Sequence, residues 1–493
     1  MASTEHKSFP SIPAHSLPNG WPRISKSNPV RDLGAGVMDY ERCAALHNEL
    51  LTIAVKGRGG EMPAKPLTWW EARAPSEEIA STLHPSLIEF LKRAWDEDIM
   101  PPYSAIFLFI GALKFPEGLR DYGYLVEEEG EEGRFIKLYQ LSFFRGLDDE
   151  GLMFDQKTLK ASFLEDYSDT WPITSHEWSW MPLEVILDSY LQMIDEGKVQ
   201  TVSEDEAKLV KREDPFRWAM DQWVIHYYTQ TDLERATAAF KRLIEAIESR
   251  IPNSADPNPI GTPINLPWHD PATFSNEDIL PPYSFAHKFL KAISNIKVRF
   301  RYIAPGIRFP TVSEFQDQPI TNFVKSPYNH HGQYIGDCPL RIFEIDDAEQ
   351  NLMPYEHNFG LRNFAPGFYI QRVVQRWHQF WSNGCRLLLP FGIGRSGWAR
   401  MSNGEPLGIL WSNYTEENPK PHDAYGDLYQ GGTVNGITNT HAVQIDKVLN
   451  NWAERVERGD WGIDGNGVVG GIEKFREADT EKNWEKYWIA PSW

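Results

Sequence analysis

The chain has 493 residues, 41% of them hydrophobic and 24% charged, and 49 Lys and Arg against 69 Asp and Glu leave a formal net charge of −20. Such a surface repels phosphate backbones and anionic lipid, so nucleic acid and membrane are excluded as expected partners and a small-molecule ligand remains. Three cysteines (Cys43, Cys338 and Cys385) without paired spacing exclude a disulfide framework or a CxxC zinc site, and the polar, proline-rich Met1–Asn28 stretch lacks the apolar core of a secretory signal, so a reducing, cytoplasmic setting is expected.

In chain order, residues 1–35 read as an extended arm with prolines at 10, 13, 18, 22 and 29. Helices are predicted over Tyr40–Val55 and Pro85–Glu97. The longest apolar run, Ala105–Leu113, falls well short of the roughly 20 residues a membrane helix needs. Tyr122–Glu127 and Arg134–Phe144 read as two strands around an acidic Glu/Gly loop. In Pro182–Glu196, Leu183, Ile186, Leu187, Tyr190, Leu191 and Ile194 recur at helical spacing, with Pro182 suited to the first turn and Gly197 to the C-terminal cap. Asp232–Ile251 carries a second stripe, with Thr231 and Glu234 as its expected capping box.

A Pro/Asn/Gly-rich stretch over 253–267 reads as a linker between a helix-rich domain (36–252) and an α+β domain (268–493). Beyond it, Ile296–Tyr302 alternates, Val298, Phe300 and Tyr302 facing one way and Lys297, Arg299 and Arg301 the other. Leu340–Ile345 and Cys385–Phe391 also read as strands. Trp398–Met401 and Gly408–Trp411 are expected to pair around Asn403-Gly404. Helices are predicted over Tyr369–Trp381 and Gln444–Arg458, the latter stopped by Gly459. Without regular βαβ alternation the fold class is α+β, with a helix-rich N-terminal half containing a β-hairpin and a mixed helix/strand C-terminal half.

Glu97-Asp98-Ile99-Met100-Pro101-Pro102-Tyr103-Ser104 returns as Glu277-Asp278-Ile279-Leu280-Pro281-Pro282-Tyr283-Ser284, identical at seven of eight positions. Each copy precedes an apolar segment expected to be helical. A shared turn into a helix explains this at least cost; two related halves facing one another is the larger reading.

Gly392-Ile393-Gly394-Arg395-Ser396-Gly397 fits G-x-G-x-x-G after a strand, but a dinucleotide fold needs a helix next, and the following residues read as a hairpin. A tight turn is expected. Asp464-Gly465-Asn466-Gly467, with Val469 and Glu473, fits part of a calcium loop, but Gly462 stands where the first carboxylate belongs, so a Gly-rich turn is expected there too.

No HxH, HExxH or HxxxH pattern occurs among the 14 histidines. The densest polar cluster lies in loop-like sequence: His330, His331, Asp337 and Cys338, then Glu356 and His357. Imidazoles and carboxylates together can transfer protons near neutral pH, which makes His330, His331, Glu356 and His357 the candidate catalytic residues. Lys297, Arg299 and Arg301, with Arg308 beyond, form a basic face in an acidic chain and are the candidate anion-binding residues. No metal ligands are assigned and no cofactor is indicated.

Three stretches, Trp180–Val199 (WMPLEVILDSYLQMIDEGKV), Gly384–Arg400 (GCRLLLPFGIGRSGWAR) and Lys474–Trp488 (KFREADTEKNWEKYW), resemble uncharacterised proteins of filamentous fungi. The resemblance runs from about residue 170 onward. It implies a soluble protein of fungal origin and assigns no activity or site residue.

The 19 tryptophans supply large apolar area with a polar handle, serving either core packing or a ligand cleft. The expectation is an intracellular enzyme of small-molecule, including secondary, metabolism with an aromatic-lined cleft; the alternative is a non-catalytic binding or scaffolding protein.

Overall fold

The computed structural model describes residues 20–34, 36–100, 105–120, 131–141, 151–164, 180–213, 217–220, 222–252, 263–277, 279–318, 339–346, 353–355, 362–372, 381–407, 425–431, 437 and 443–490. Helices and largely antiparallel sheets combine in an α+β fold. The chain divides into two compact units, Met1–Arg212 with Ala219–Val224 and Gly436–Asn439, and Glu213–Trp218 with Ile225–Asn435 and Thr440–Trp493. The passage between them lies near residues 212–225, ahead of the proline-rich 253–267 stretch.

In the first unit, α1 (Tyr40–Gly57) begins where Asp39 accepts the Arg42 N–H, and it buries Cys43, Leu46, His47, Leu50, Leu51 and Ala54. It packs against α2 (Pro85–Leu91) and α3 (Leu183–Asp195). The expected hairpin is part of a five-stranded antiparallel sheet in the order β1 (Ile110–Leu113), β2 (Phe135–Leu141), β3 (Gly151–Asp155), β4 (Lys160–Leu164) and β5 (Met181–Pro182). Tyr122–Glu127 lies outside the described residues. Pro182 is the cap of α3 rather than its first turn, and Gly197 adopts φ 72° past the helix end, where a side chain would be strained. The described part of the arm is tied down: Arg23 bonds Asp188, Arg42 bonds Asn28 and the Pro29 carbonyl, and both Arg31 and Arg42 lie over the Trp21 ring.

The second unit is organised by α4 (Gln230–Glu248), α5 (Phe285–Ile293) and an eight-stranded sheet. Its strands are β6 (Tyr302–Ala304), β7 (Ile307–Arg308), β8 (Leu340–Ile345), β9 (Gly367–Ile370), β10 (Cys385–Ile393), β11 (Tyr425–Asp427), β12 (Ile463–Asp464) and β13 (Gly467–Val468). They are ordered β11-β10-β9-β8-β7-β6-β13-β12, and β13 against β6 is a parallel pair. α6 (Ile445–Glu457) packs along α4, and Phe240, Leu243, Ile247, Val448, Leu449 and Trp452 join one core with the strands.

Several expectations shift. The capping box of α4 is Thr229 with Asp232, two residues ahead of the Thr231/Glu234 pair, so the helix starts earlier. Tyr369 and Ile370 belong to a strand, not a helix: the Phe368 and Ile370 side chains sit between β8 and β10, and sheet pairing overrides the helical spacing. Ile296–Phe300 alternates in burial as expected but forms no ladder; pairing begins at Tyr302. The octet copies diverge. The second leads into α5 with Ser284 as cap, whereas the first leads into extended, fully buried Ile106–Phe109 and then β1. Glu97 is buried and accepts the Leu113 N–H; its counterpart Glu277 is exposed. The shared octet therefore specifies a turn and not a common architecture.

Candidate functional site

A cleft of about 730 Å³ opens in the second unit between the β6–β7 turn, β10, the β12–β13 hairpin and the segment that follows it. Its lining includes Tyr302, Asp346, Phe391, Asn466, Val469 and Arg476. Two glycines make this possible. Gly306 has φ 68°, and a Cβ there would fall 2.3 Å from the Ile472 nitrogen; Gly467 has φ 108° and a Cβ would fall 2.3 Å from the Tyr302 carbonyl oxygen. Bare backbone thus lets the 467–472 stretch lie directly on β6 and its turn.

The floor is an ionic cluster built by sheet register. Tyr302 and Arg308 pair across β6 and β7, and Asp346 follows the end of β8. The Asp346 carboxylate accepts from the Tyr302 hydroxyl, from Arg308 Nε at 2.5 Å and from Arg301 at 3.2 Å. Arg308 also grips Glu314 through two bonds of 2.6 and 2.8 Å. Burial pushes the Asp346 carboxyl up, but the Tyr302 and Arg308 bonds outweigh it and hold Asp346 below its ordinary range. The Tyr302 hydroxyl is pushed up by donating to Asp346. Arg308 draws Glu314 down to about 2. The rim is softer. The Arg476 guanidinium lies 3.7 Å from the Phe391 ring centroid and bonds Glu473. Asp464 accepts the Asn466 N–H at 2.7 Å, and the Asn466 carbonyl takes the N–H groups of Arg301 and Tyr302. The Asp464 segment is therefore a two-residue hairpin turn, with Glu473 paired to Arg476 instead of completing a calcium loop.

Chemically, this is a recognition surface. A general base works best with a pKa near the operating pH. Asp346 is displaced below that and Tyr302 above it, so both serve as fixed acceptor and donor.

The glycine-rich loop after β10 has a resident anion. Gly394 and Gly397 adopt φ 105° and 76°, and Gly397 N–H closes a turn on the Gly394 carbonyl at 2.9 Å. The Asp479 carboxylate accepts four backbone N–H groups there, from Gly394 at 3.1 Å, Ser396 at 2.7 Å, Trp398 at 3.0 Å and Ala399 at 3.1 Å. The expected tight turn is present, and the expected Asn403-Gly404 hairpin follows, closed by Leu407 N–H on the Ala399 carbonyl.

The first unit holds a buried polar cluster. His47 Nδ1 lies 2.9 Å from the Tyr139 hydroxyl and Nε2 2.9 Å from the Trp95 carbonyl, with Glu97 Oε1 3.8 Å from Nε2. Burial pushes Glu97 up to about 8, against the pull of the Leu113 N–H, and lowers His47 to about 4. Cys43 donates to Glu184 at 3.5 Å, and burial raises both.

His330, His331, Glu356 and His357 lie outside the described residues, as do Asp337 and Cys338. Lys297, Arg299 and Arg301 are exposed on one side of their segment; Arg301 pairs with Asp346, and Arg299 acts on the charge of Glu248. Trp69, Trp223, Trp268, Trp452 and Trp461 are sealed in packing, and the aromatic groups lining the cleft are Tyr302 and Phe391. The cleft residues Asp346, Tyr302, Asp464 and Arg476 carry no local motif; the glycine-dense stretch from Gly462 to Gly471 is the one sequence signal that marks the place. No group of three or more His, Cys, Asp or Glu among the described residues is arranged to hold a metal ion, and none of their helices is long and apolar enough to cross a membrane. Comparison with protein-family models, with curated proteins and with solved structures finds no match to this chain.

Proposed function

We propose that this protein binds a small polar molecule in the cleft of its second unit, as a recognition protein whose lining groups hold the ligand without exchanging protons with it. The observation that carries this reading is the fixed Tyr302–Asp346–Arg308 floor beneath a cleft whose volume is typical of small-ligand sites. Asn466 and Asp464 add an exposed amide and carboxylate, while Val469 and Ile472 offer an apolar side. A ligand rich in hydrogen-bond donors, with one apolar face, fits these groups best. The net charge of −20 supports a partner other than nucleic acid or an anionic membrane. A cytoplasmic setting is part of the proposal, supported by Cys43 and Cys385 being free thiols. Catalysis in small-molecule metabolism is the alternative, and it rests on His330, His331, Glu356 and His357.

Thermal-shift screening of the full chain against polyols, amines and neutral metabolites, followed by calorimetry, tests the proposal. Expected is saturable stabilisation that weakens at least tenfold in Asn466→Ala, an exposed position whose loss leaves the fold intact. Ligands that bind with unchanged affinity to Asn466→Ala and to Val469→Asp place the site elsewhere and refute the proposal.

A further inference from the structure

We propose that the glycine-rich loop over residues 392–399 is a preformed oxyanion site for a phosphate group, held closed by the carboxylate of Asp479. Successive backbone N–H groups converge on one point only when the chain alternates between right- and left-handed conformations, and such concavities bind anions. Gly394 and Gly397 supply the left-handed positions. Four N–H groups within six residues then point at a single carboxylate, at 2.7 to 3.1 Å. Two of them, on Trp398 and Ala399, reach Oδ1, and the other two reach Oδ2, so both oxygens are engaged. A tetrahedral phosphate presents more acceptor oxygens and more negative charge to the same donors.

The surroundings favour an anion beyond what Asp479 needs. Arg395 and Ser396 are exposed within the loop itself. The Arg400 guanidinium, held on the Gly397 and Ala399 carbonyls, is near enough to Asp479 for the two charges to interact. The site also opens cheaply. Phe475 and Ala478 are buried and keep the backbone of their segment in place, while Asp479 is itself half-buried at the surface. Rotation of one side chain therefore exposes the four donors with no rearrangement of the fold. A phosphate competes with an internal carboxylate present at high effective concentration, so the wild-type protein binds it more weakly than a chain lacking that carboxylate.

The test compares the full chain with Asp479→Ala and Asp479→Asn, titrated with inorganic phosphate and separately with glycerol 3-phosphate, against potassium chloride at matched ionic strength. Expected is a rise in the melting temperature of either variant by roughly 3–5 °C at about 10 mM phosphate, with a smaller rise in wild type. A response to inorganic phosphate alone assigns the site to the free ion, and a larger response to the ester assigns it to a phosphorylated metabolite. Variants that fold but show no more response to either compound than to chloride overturn the proposal. Failure of both variants to fold, with no recovery when phosphate is present during refolding, overturns it equally.

Discussion

His47 and Glu97 face one another across 3.8 Å inside the first unit, and burial leaves both uncharged near neutral pH. Tyr139, Cys43 and Glu184 border them from neighbouring elements, and burial raises each of these toward its neutral form as well. The Arg73–Asp96 ion pair lies alongside Glu97.

This arrangement gives a pH dependence with opposed signs. Glu97 holds its proton in the folded state up to about 8 but loses it near 4.5 when unfolded, so its contribution to stability falls as pH rises through that window. His47 is the reverse: lowered to about 4 from 6.5, it makes stability rise with pH between those values. The two oppose one another below pH 6.5, and above it Glu97 acts alone. Urea unfolding should therefore show a loss of about 2 kcal/mol between pH 6.5 and 8. Glu97→Gln, which keeps the shape without the acid, should flatten that loss; an unchanged slope in the variant would remove Glu97 as its source.

Replacing Asp346 by Asn should destabilise the second unit by about 1–3 kcal/mol, because half-buried Arg308 loses a carboxylate and keeps only Glu314. Tyr302→Phe removes a single donor and should cost about 0.5–1.5 kcal/mol. Chemical denaturation orders the two, and affinity for a cleft ligand should fall further in the Asp346 variant.

Gly306→Ala should both destabilise and reshape the cleft. The position has φ 68°, and its Cβ would meet backbone at 2.3 Å, which no side-chain rotation relieves. A cost of about 1–3 kcal/mol is expected. Faster amide exchange of the 469–473 stretch in the variant is the diagnostic measurement, because a purely local strain at the β6–β7 turn would leave that stretch protected.

Trp452 donates its indole N–H to the Tyr429 hydroxyl at 3.0 Å in the core where α4, α6 and the sheet meet. Tyr429→Phe leaves that buried donor without its acceptor and should cost about 1–3 kcal/mol. Trp452→Ala empties a large volume as well and should cost about 3–5 kcal/mol. Equal losses in the two variants would mean that the packing of the indole contributes little.

Local physical chemistry made much of the fold legible. The stripes of α3, α4 and α6, the glycine past each of α3 and α6, and strands β8 and β10 follow from periodicity and capping chemistry, which act over a few residues. Where long-range pairing competes with local preference, the reading failed. Tyr369 and Ile370 have helical spacing around them, yet both flanking strands offer ladder partners and the sheet takes them. The two octet copies make the same point at the level of single residues: Glu97 and Glu277 share their neighbours in sequence, but only one is buried.

The cleft was nearly silent in the sequence. Tyr302, Asp346 and Arg476 are separated by 44 and 130 positions and match no spacing rule, since their meeting depends on sheet order alone. Only the glycines at 306 and 467 gave a hint, because close backbone approach demands that residue type.

By itself, the sequence determined the mixed class, the acid surface, the helix limits and the places where the backbone must turn, because each of these is decided by residues within reach of a helical turn or a single loop. Only the tertiary structure decided which carboxylate fills the glycine loop, which arginine locks Asp346 and which tryptophans are sealed away. Those outcomes depend on free energies of contact between segments far apart in the chain, and such contacts leave no periodic trace in the order of the residues.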